Sequence, residues 1–414
     1  MVTALAVVGI LVAVFVGYNI GGSSTGVAFG PAVGSRLVRK ATAAGLFTVF
    51  ALVGAWTVGR NVISTMSSSI VPAAQFTPIA AVGVLFFTGL SLLISNLYGV
   101  PASTSMTAVS AIVGLGLATG TLDQALMFVI VSAWIVAPII GFASGAVIGR
   151  YVYPYLDGRF AFTRLELHLF QLDRTGSVPT PRVNQNASPR DLVGSALVIL
   201  IACYMAFSAG ASNAANAVAP LVGVSGPLTV DQGVLLAVFA FGLGGFTIAR
   251  RTLDTVGDDI TELPILAALI VSLVGGTIIT VLSYLGIPAS LAVSTTCTII
   301  GLGWGRASRA ATLAELATPS PEAGGTGELT TGALVPEESD EPASPTVGDL
   351  AEGEPEPVEP EQPPEVPNIG EAEAGVQSKE SLFDAAAAGR IAVLWVLTPA
   401  IAVVCSYVLF LLIV

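Results

Sequence analysis

The feature that most constrains this chain is a series of long apolar runs. They lie near residues 2–19, 41–58, 76–98, 125–149, 192–208, 232–248, 264–285 and 391–414, each close to the length of about 18 residues that a helix needs to cross roughly 30 Å of hydrocarbon. In that medium a backbone N–H or C=O has no water to bond, so a spanning segment must be a helix or part of a closed barrel. Runs this long read as helices. The first, MVTALAVVGILVAVFVGYN, lacks a basic start and a small-residue cleavage site, so it reads as a span rather than a secretory signal. The expected class is all-α, a multi-pass protein of the plasma membrane.

Composition sharpens this reading. Hydrophobic residues make up 53% of the chain and charged residues 11%, far from a soluble domain. Cys203, Cys297 and Cys405 all lie in apolar segments and His168 is the single histidine, too few ligands for a zinc site or a disulfide framework. No cofactor is expected. No nucleophile–base pair stands out in the membrane segments, so enzymatic chemistry is disfavoured. Nor is a nucleic-acid partner expected.

The net charge of −12 is unevenly distributed. Residues 310–389 hold 18 of the 28 acids and one lysine, so the rest of the chain is net positive. This acidic segment, with EGEPEPVEPEQPPEVP at its centre, is too poor in large apolar side chains to offset the entropy of ordering, and disorder is expected there. Only Lys40 and Lys379 are lysines; arginine in place of lysine beside an acidic solvent-facing segment suggests a salt-rich habitat.

The chain also repeats itself. GGSSTGVAFGPAVGS (21–35) resembles ASNAANAVAPLVG (211–223), with Pro31 matching Pro220 at an offset of 189; RNVIST (60–65) matches RRTLDT (250–255) at 190; STSMT (103–107) matches STTCT (294–298) at 191; and WIVAP (134–138) matches WVLTP (395–399) at 261. The jump at the last pair marks the acidic segment as an insertion within the second repeat. The expected organisation is a first transmembrane repeat over 1–150, a polar connector over 151–190, a second repeat over 191–309, the insertion over 310–389 and a last helix over 390–414. Two such halves, each with Gly- and Pro-interrupted polar stretches, point to a transporter with inverted repeats, broken or re-entrant helices and a site at the membrane midplane.

Irregular backbone inside hydrocarbon is tolerable only around an enclosed cavity, so NIGGSSTG and SAGASNAAN are expected to break their helices there. Ser23, Ser24, Ser212 and Asn213 would then cap half-helices whose free N–H groups hold an anion. Ser103, Thr104, Ser105, Ser294, Thr295 and Thr296 repeat the pattern, their hydroxyls able to donate or accept. Small residues also permit close helix packing in membranes; the duplication and the clustered asparagines favour a site.

GASNAANAVAP, RRTLDTVGDDITELP, VSTTCTIIG and both W-x-x-x-P segments resemble, in order, the inorganic phosphate transporter (PiT) family of sodium- or proton-coupled permeases. Its signature runs approximately G-x-N-D-x-A-N-x-x-G-P, with a later P-V-S-T-T-H. The resemblance implies that the signature's Asn-Asp pair falls on Ser212 and Asn213 and on Ser23 and Ser24, its second asparagine on Asn216 and Val27, and its Ser-Thr-Thr on Ser103, Thr104 and Ser105 and on Ser294, Thr295 and Thr296. Met106 and Cys297 replace the histidine. Pro101 fits the motif's proline, whereas Pro288 stands four residues early, which leaves Ser290 as an alternative register. Both signature aspartates are replaced by neutral groups. A carboxylate accepts a hydrogen bond from hydrogen phosphate, which still carries a proton, and repels a fully deprotonated sulfate, so with both gone sulfate stands beside phosphate as a substrate.

The resemblance thus implies a permease for inorganic phosphate driven by Na+ or H+, with a sulfate permease of the same fold as the alternative, and a passive anion channel or transport-dead sensor as a third reading. A proton-coupled cycle calls for an ionisable group, which Asp254 and Glu262 offer; Asn19, a neutral amide, is the third coupling candidate. The arginine-rich connector is expected to face the cytoplasm, and a homo-oligomer is compatible with this architecture.

Overall fold

The computed structural model describes residues 2–35, 37–97, 103–159, 170–173, 180–183, 189–222, 227–249, 265–317 and 385–413. These are nearly all helical, and six helices are long and apolar enough to cross a membrane. By internal contacts the chain divides into two units, Met1–Ala310 with Phe383–Val414, and Ala311–Leu382.

The first half runs α1 (Val2–Gly34), α2 (Lys40–Thr57), the short α3 (Gly59–Ser64), a wide π-helical turn (Thr65–Ser69), α4 (Pro78–Leu97), α5 (Thr104–Thr119) and α6 (Gln124–Val147), which passes through a second π-helical turn (Ile148–Val152) into α7 (Tyr153–Arg159). A two-stranded antiparallel hairpin follows, β1 (Phe170–Asp173) with β2 (Thr180–Val183). The second half is α8 (Pro189–Val218), α9 (Val230–Phe246), α10 (Ile265–Tyr284), α11 (Leu291–Ala317) and α12 (Ala385–Ile413). All eight apolar runs of the sequence fall on helices; α5, α11 and the short α3 and α7 come in addition.

Local chemistry fixes several boundaries. Asp123 caps α6 by accepting from the Leu126 N–H, and Thr229 and Gln232 form a reciprocal capping box at the start of α9. Gly120, at φ 65°, ends α5 in the left-handed conformation that glycine adopts without steric cost.

The helices meet through glycines, and the contacts of one half recur in the other. Gly21 of α1 lies against the backbone of Phe241 in α9, and Gly210 of α8 against Ala51 in α2. Gly54 of α2 meets Phe207 of α8, and Gly244 of α9 meets Tyr18 of α1. Gly114 of α5 meets Val403 of α12, and Gly301 of α11 meets Phe142 of α6. A side chain at any of these positions would collide with backbone, so the close approach depends on glycine. Around these contacts the core is built of small and aromatic side chains, among them Ala51, Ala214, Ala217, Phe29, Phe47 and Phe241, each at most 1% exposed.

Two expectations are corrected. The polar stretches do not break their helices: α1 is helical without interruption through residues 19–34, and α8 through 208–218, ending in a single 3-10 turn (Ala219–Leu221). Ser23, Ser24, Ser212 and Asn213 are therefore interior helical residues, not caps. The reason is local. Polar side chains in α1 return their hydrogen bonds to its own carbonyls, Asn19 Nδ2 to Phe15 O at 2.8 Å, Ser23 Oγ to Ile20 O at 3.1 Å and Thr25 Oγ1 to Gly21 O at 2.7 Å, which lets them sit in apolar surroundings without interrupting the ladder. The second correction is of register. The pairs Gly114 with Gly301 and Val403 with Phe142 align α5 with α11 at an offset of 187, which sets Pro101-Ala102-Ser103 against Pro288-Ala289-Ser290, the alternative register. Ser294, Thr295 and Thr296 lie one turn further into α11.

Candidate functional site

The continuous helices α1 and α8 pass beside a cavity of about 70 Å³. Asn19, Ile20, Ser23, Ser24 and Val27 of α1, Leu92 of α4, Thr104 of α5, Asn213 of α8, and Ser290, Leu291 and Ala292 at the start of α11 line it. Both halves of the chain contribute, and none of these described lining residues is charged.

Two helix N-termini reach this cavity. Ser103 precedes α5, and the first helical bond runs from the Thr107 N–H to Ser103 O at 3.0 Å; at α11 the corresponding bond runs from Ser294 N–H to Ser290 O at 3.2 Å. The backbone N–H groups before those points have no carbonyl partner within the helix. One of them, on Val293, is capped by Ser290 Oγ at 3.4 Å. A helix start carries a partial positive charge. The convergence of helix ends expected at four stretches is thus met at two, α5 and α11.

Behind the cavity wall α5 and α8 share a polar network. Thr104 Oγ1 donates to Asn213 Oδ1 at 2.8 Å; Asn216 Nδ2 reaches the same Oδ1 at 3.0 Å, Ser105 Oγ at 3.0 Å and Thr104 Oγ1 at 3.4 Å. The Asn213 oxygen therefore accepts twice, while its Nδ2 makes no hydrogen bond among the described residues. The network fixes which end of the amide is available: donors, on a side chain that lines the cavity. Ser290 Oγ accepts from Val293 and keeps its proton to donate, and the Ser24 hydroxyl has no partner among the described residues. Such a set of neutral donors beside two helix N-termini suits an anion.

Among the described residues, four buried oxygens at α5 and α8 have no hydrogen-bond partner: Ser103 Oγ, Thr107 Oγ1, Ser212 Oγ and Asn216 Oδ1. Orphaned buried acceptors are rare and call for a ligand or ordered water.

The sequence candidates divide accordingly. Asn19, Ser23, Ser24, Thr104 and Asn213 line the cavity; Ser105 and Asn216 stand behind it in the network; Ser103 and Ser212 are fully buried on the same helices. Ser294, Thr295 and Thr296 are absent from the lining: Ser294 is 1% exposed, and the Thr295 hydroxyl returns to Leu291 O at 2.8 Å while its methyl packs against Gly275. Asp254 and Glu262 lie outside the described residues. Ser290, Leu291 and Ala292 belong to the lining although the hydroxyl-run alignment passes over them; the repeated Pro-Ala-Ser is the signal that finds them. The partners of Thr104, Asn213 and Asn216 in the other half are Leu291, Ser24 and Val27, so the network is built on one side only.

Residues 20–319 match the phosphate transporter family. Among curated proteins, the chain is 32% identical over 296 residues to the sulfate permease CysP of Bacillus subtilis, covering 71% of this chain and 76% of that one. It is 26% identical to a putative phosphate permease of Chlamydia pneumoniae, covering 72% and 89% of the two chains, and 25% identical to one of Haemophilus influenzae, covering 70% and 86%. Among solved structures, one described as the sodium-dependent phosphate transporter superposes with a TM-score of 0.65 over 99% of both chains at 17% identity, a likeness of fold. With a family match over most of its length and six membrane-capable helices, the chain is a multi-pass membrane protein and belongs to the phosphate transporter family.

Proposed function

We propose that the protein is a secondary active permease that carries inorganic phosphate across the plasma membrane together with a cation. The observation that carries this reading is the cavity between the halves, whose lining offers the Asn213 amide, the Ser24 and Ser290 hydroxyls and the starts of α5 and α11. An oxyanion would accept from these donors. The cation would be held by neutral oxygens, and Ser103 Oγ, Thr107 Oγ1, Ser212 Oγ and Asn216 Oδ1 are the unpartnered candidates; hydroxyls and carbonyls suffice to bind sodium in transporters of this general design.

Alternating access would come from the two halves rocking about the cavity. Support for inverted repeats comes from the exchange of contacts, Gly21 with Phe241 against Gly210 with Ala51, and Gly114 with Val403 against Gly301 with Phe142. Each pair maps onto the other when the halves are swapped. The α1–α8 crossing would be the pivot, with helices continuous through it rather than re-entrant.

Sulfate is the second reading, favoured by a specific observation. Among the described residues the cavity lining holds no carboxylate to repel a dianion that carries no proton, and one relative at 32% identity is named a sulfate permease. Competitive uptake of labelled phosphate and sulfate into proteoliposomes, with and without an inward sodium gradient, separates the two. Sodium-driven phosphate accumulation is expected; preference for sulfate would reassign the substrate, and downhill flux alone would reduce the protein to a channel.

A further inference from the structure

The polar groups that line the cavity are not all of one kind. Hydrogen bonds already in place decide what each has left to offer, and they divide the lining by helix. On α8 and α11 the remaining capacity is that of donors: Nδ2 of Asn213, whose oxygen accepts twice, and the hydroxyl proton of Ser290. On α1 it is that of acceptors. Asn19 Nδ2 is spent on Phe15 O at 2.8 Å, and the opposite orientation of the amide would set oxygen against oxygen, so the group left over is Oδ1. Ser23, one turn further along the same face, gives its only proton to Ile20 O at 3.1 Å and keeps its lone pairs. Neither oxygen receives a side-chain hydrogen bond among the described residues.

The repeat does not impose this polarity. At the offset of 189 that matches Pro31 to Pro220, Asn19 and Ser23 correspond to Ser208 and Ser212 of α8. Both are fully buried and absent from the lining, and Ser208 donates to Gly276 O at 3.0 Å. These acceptors therefore come from the first half alone, and the amide donor from the second.

A fully deprotonated tetrahedral anion has no use for an acceptor. Sulfate carries only acceptor oxygens, so binding it beside Asn19 would take water from Oδ1 and give nothing back. Hydrogen phosphate carries acceptor oxygens and one hydroxyl, and can bond both sides of the lining at once. A site built to hydrogen-bond a substrate hydroxyl rejects the analogue that lacks it more strongly than a site that fits shape alone. A neutral oxygen does this without the charge repulsion of a carboxylate. A hard cation would need a shell of several oxygens, more than these two supply, whereas one hydroxyl needs a single acceptor.

We propose that Asn19 is the specificity-determining residue of this cavity, seconded by Ser23: Oδ1 accepts from the protonated oxygen of an oxyanion, so the site takes hydrogen phosphate and turns sulfate away. The proposal rests on the reading of the cavity as the substrate site of a permease.

The test is uptake of labelled phosphate and of labelled sulfate by the full-length protein in proteoliposomes, at neutral pH and under a fixed inward sodium gradient, giving a KM for each anion. Wild type is expected to show the lower KM for phosphate. Asn19→Leu should raise that KM roughly tenfold, the worth of one hydrogen bond to a charged group, without raising the KM for sulfate, so that the preference collapses. Asn19→Asp, which keeps an acceptor and adds charge, should hold the preference or widen it. If Asn19→Leu does not insert as a folded species, Ser23→Ala is read the same way and should narrow the preference in part. Equal shifts for the two anions in these variants would overturn the proposal and leave the permease reading intact. So would a change in the half-saturating sodium concentration common to both anions, which would make Asn19 a cation ligand. Wild-type vesicles that take up neither anion would defeat the permease reading itself, and the proposal with it.

Discussion

Asn213 Oδ1 accepts hydrogen bonds from both Thr104 and Asn216, and removing it has two consequences. The cavity loses its amide donor, and two buried donors lose their acceptor at a cost of about 1–3 kcal/mol. Asn213→Ala should therefore abolish uptake while the protein still inserts and elutes as a folded species; uptake at the wild-type rate would refute the assignment. Position 290 gives a cleaner contrast. Ser290→Ala should lower transport by roughly tenfold, the loss expected for one hydrogen bond to an anion, whereas Thr296→Ala should leave it near wild type, because Thr296 is no part of the lining; the reverse ranking in a flux assay would restore the register at 294–296. Thr104, Asn213 and Asn216 were legible as polar residues in an apolar context. Ser290 was harder to see, since the hydroxyl-rich STSMT and STTCT align more conspicuously than the short Pro-Ala-Ser, and only the helix-to-helix contacts decide between offsets four residues apart.

The spanning helices were legible as elements because apolar runs of that length admit little else in lipid. Continuity through the polar stretches was not, because the sequence gives no sign of whether a serine or asparagine bonds its own helix or caps a new one. Ser23, Thr25 and Asn19 do the former, and α1 stays whole over 33 residues, about 50 Å at 1.5 Å per residue. The glycines decide how such helices meet. Gly210→Val should collide with the α2 backbone at Ala51 and sharply lower the yield of folded protein, while Gly303→Val, with open space where a Cβ would go, should be tolerated; comparable monodisperse yields for the two variants in detergent would contradict the packing described.

The two halves exchange contacts across α1, α8 and the cavity between them, and the acidic run of residues 311–382 forms a unit of its own by contact. Deleting residues 315–385 should accordingly leave transport intact, since the cavity lining lies wholly outside that stretch; complete loss of flux in a correctly inserted deletion would show that the insertion takes part in the cycle. The duplication was legible from four motif pairs. Its one-sided chemistry was legible in part: Val27 already stands opposite Asn216 in the sequence, whereas Leu291 becomes the counterpart of Thr104 only once the helix-to-helix contacts set the offset. The most direct measurement is uptake of labelled phosphate into proteoliposomes under an inward sodium gradient, wild type beside Asn213→Ala. Accumulation above the external concentration in wild type, lost in the variant, is the expected result; mere equilibration in wild type, or accumulation that survives the substitution, would contradict a coupled carrier working through this cavity.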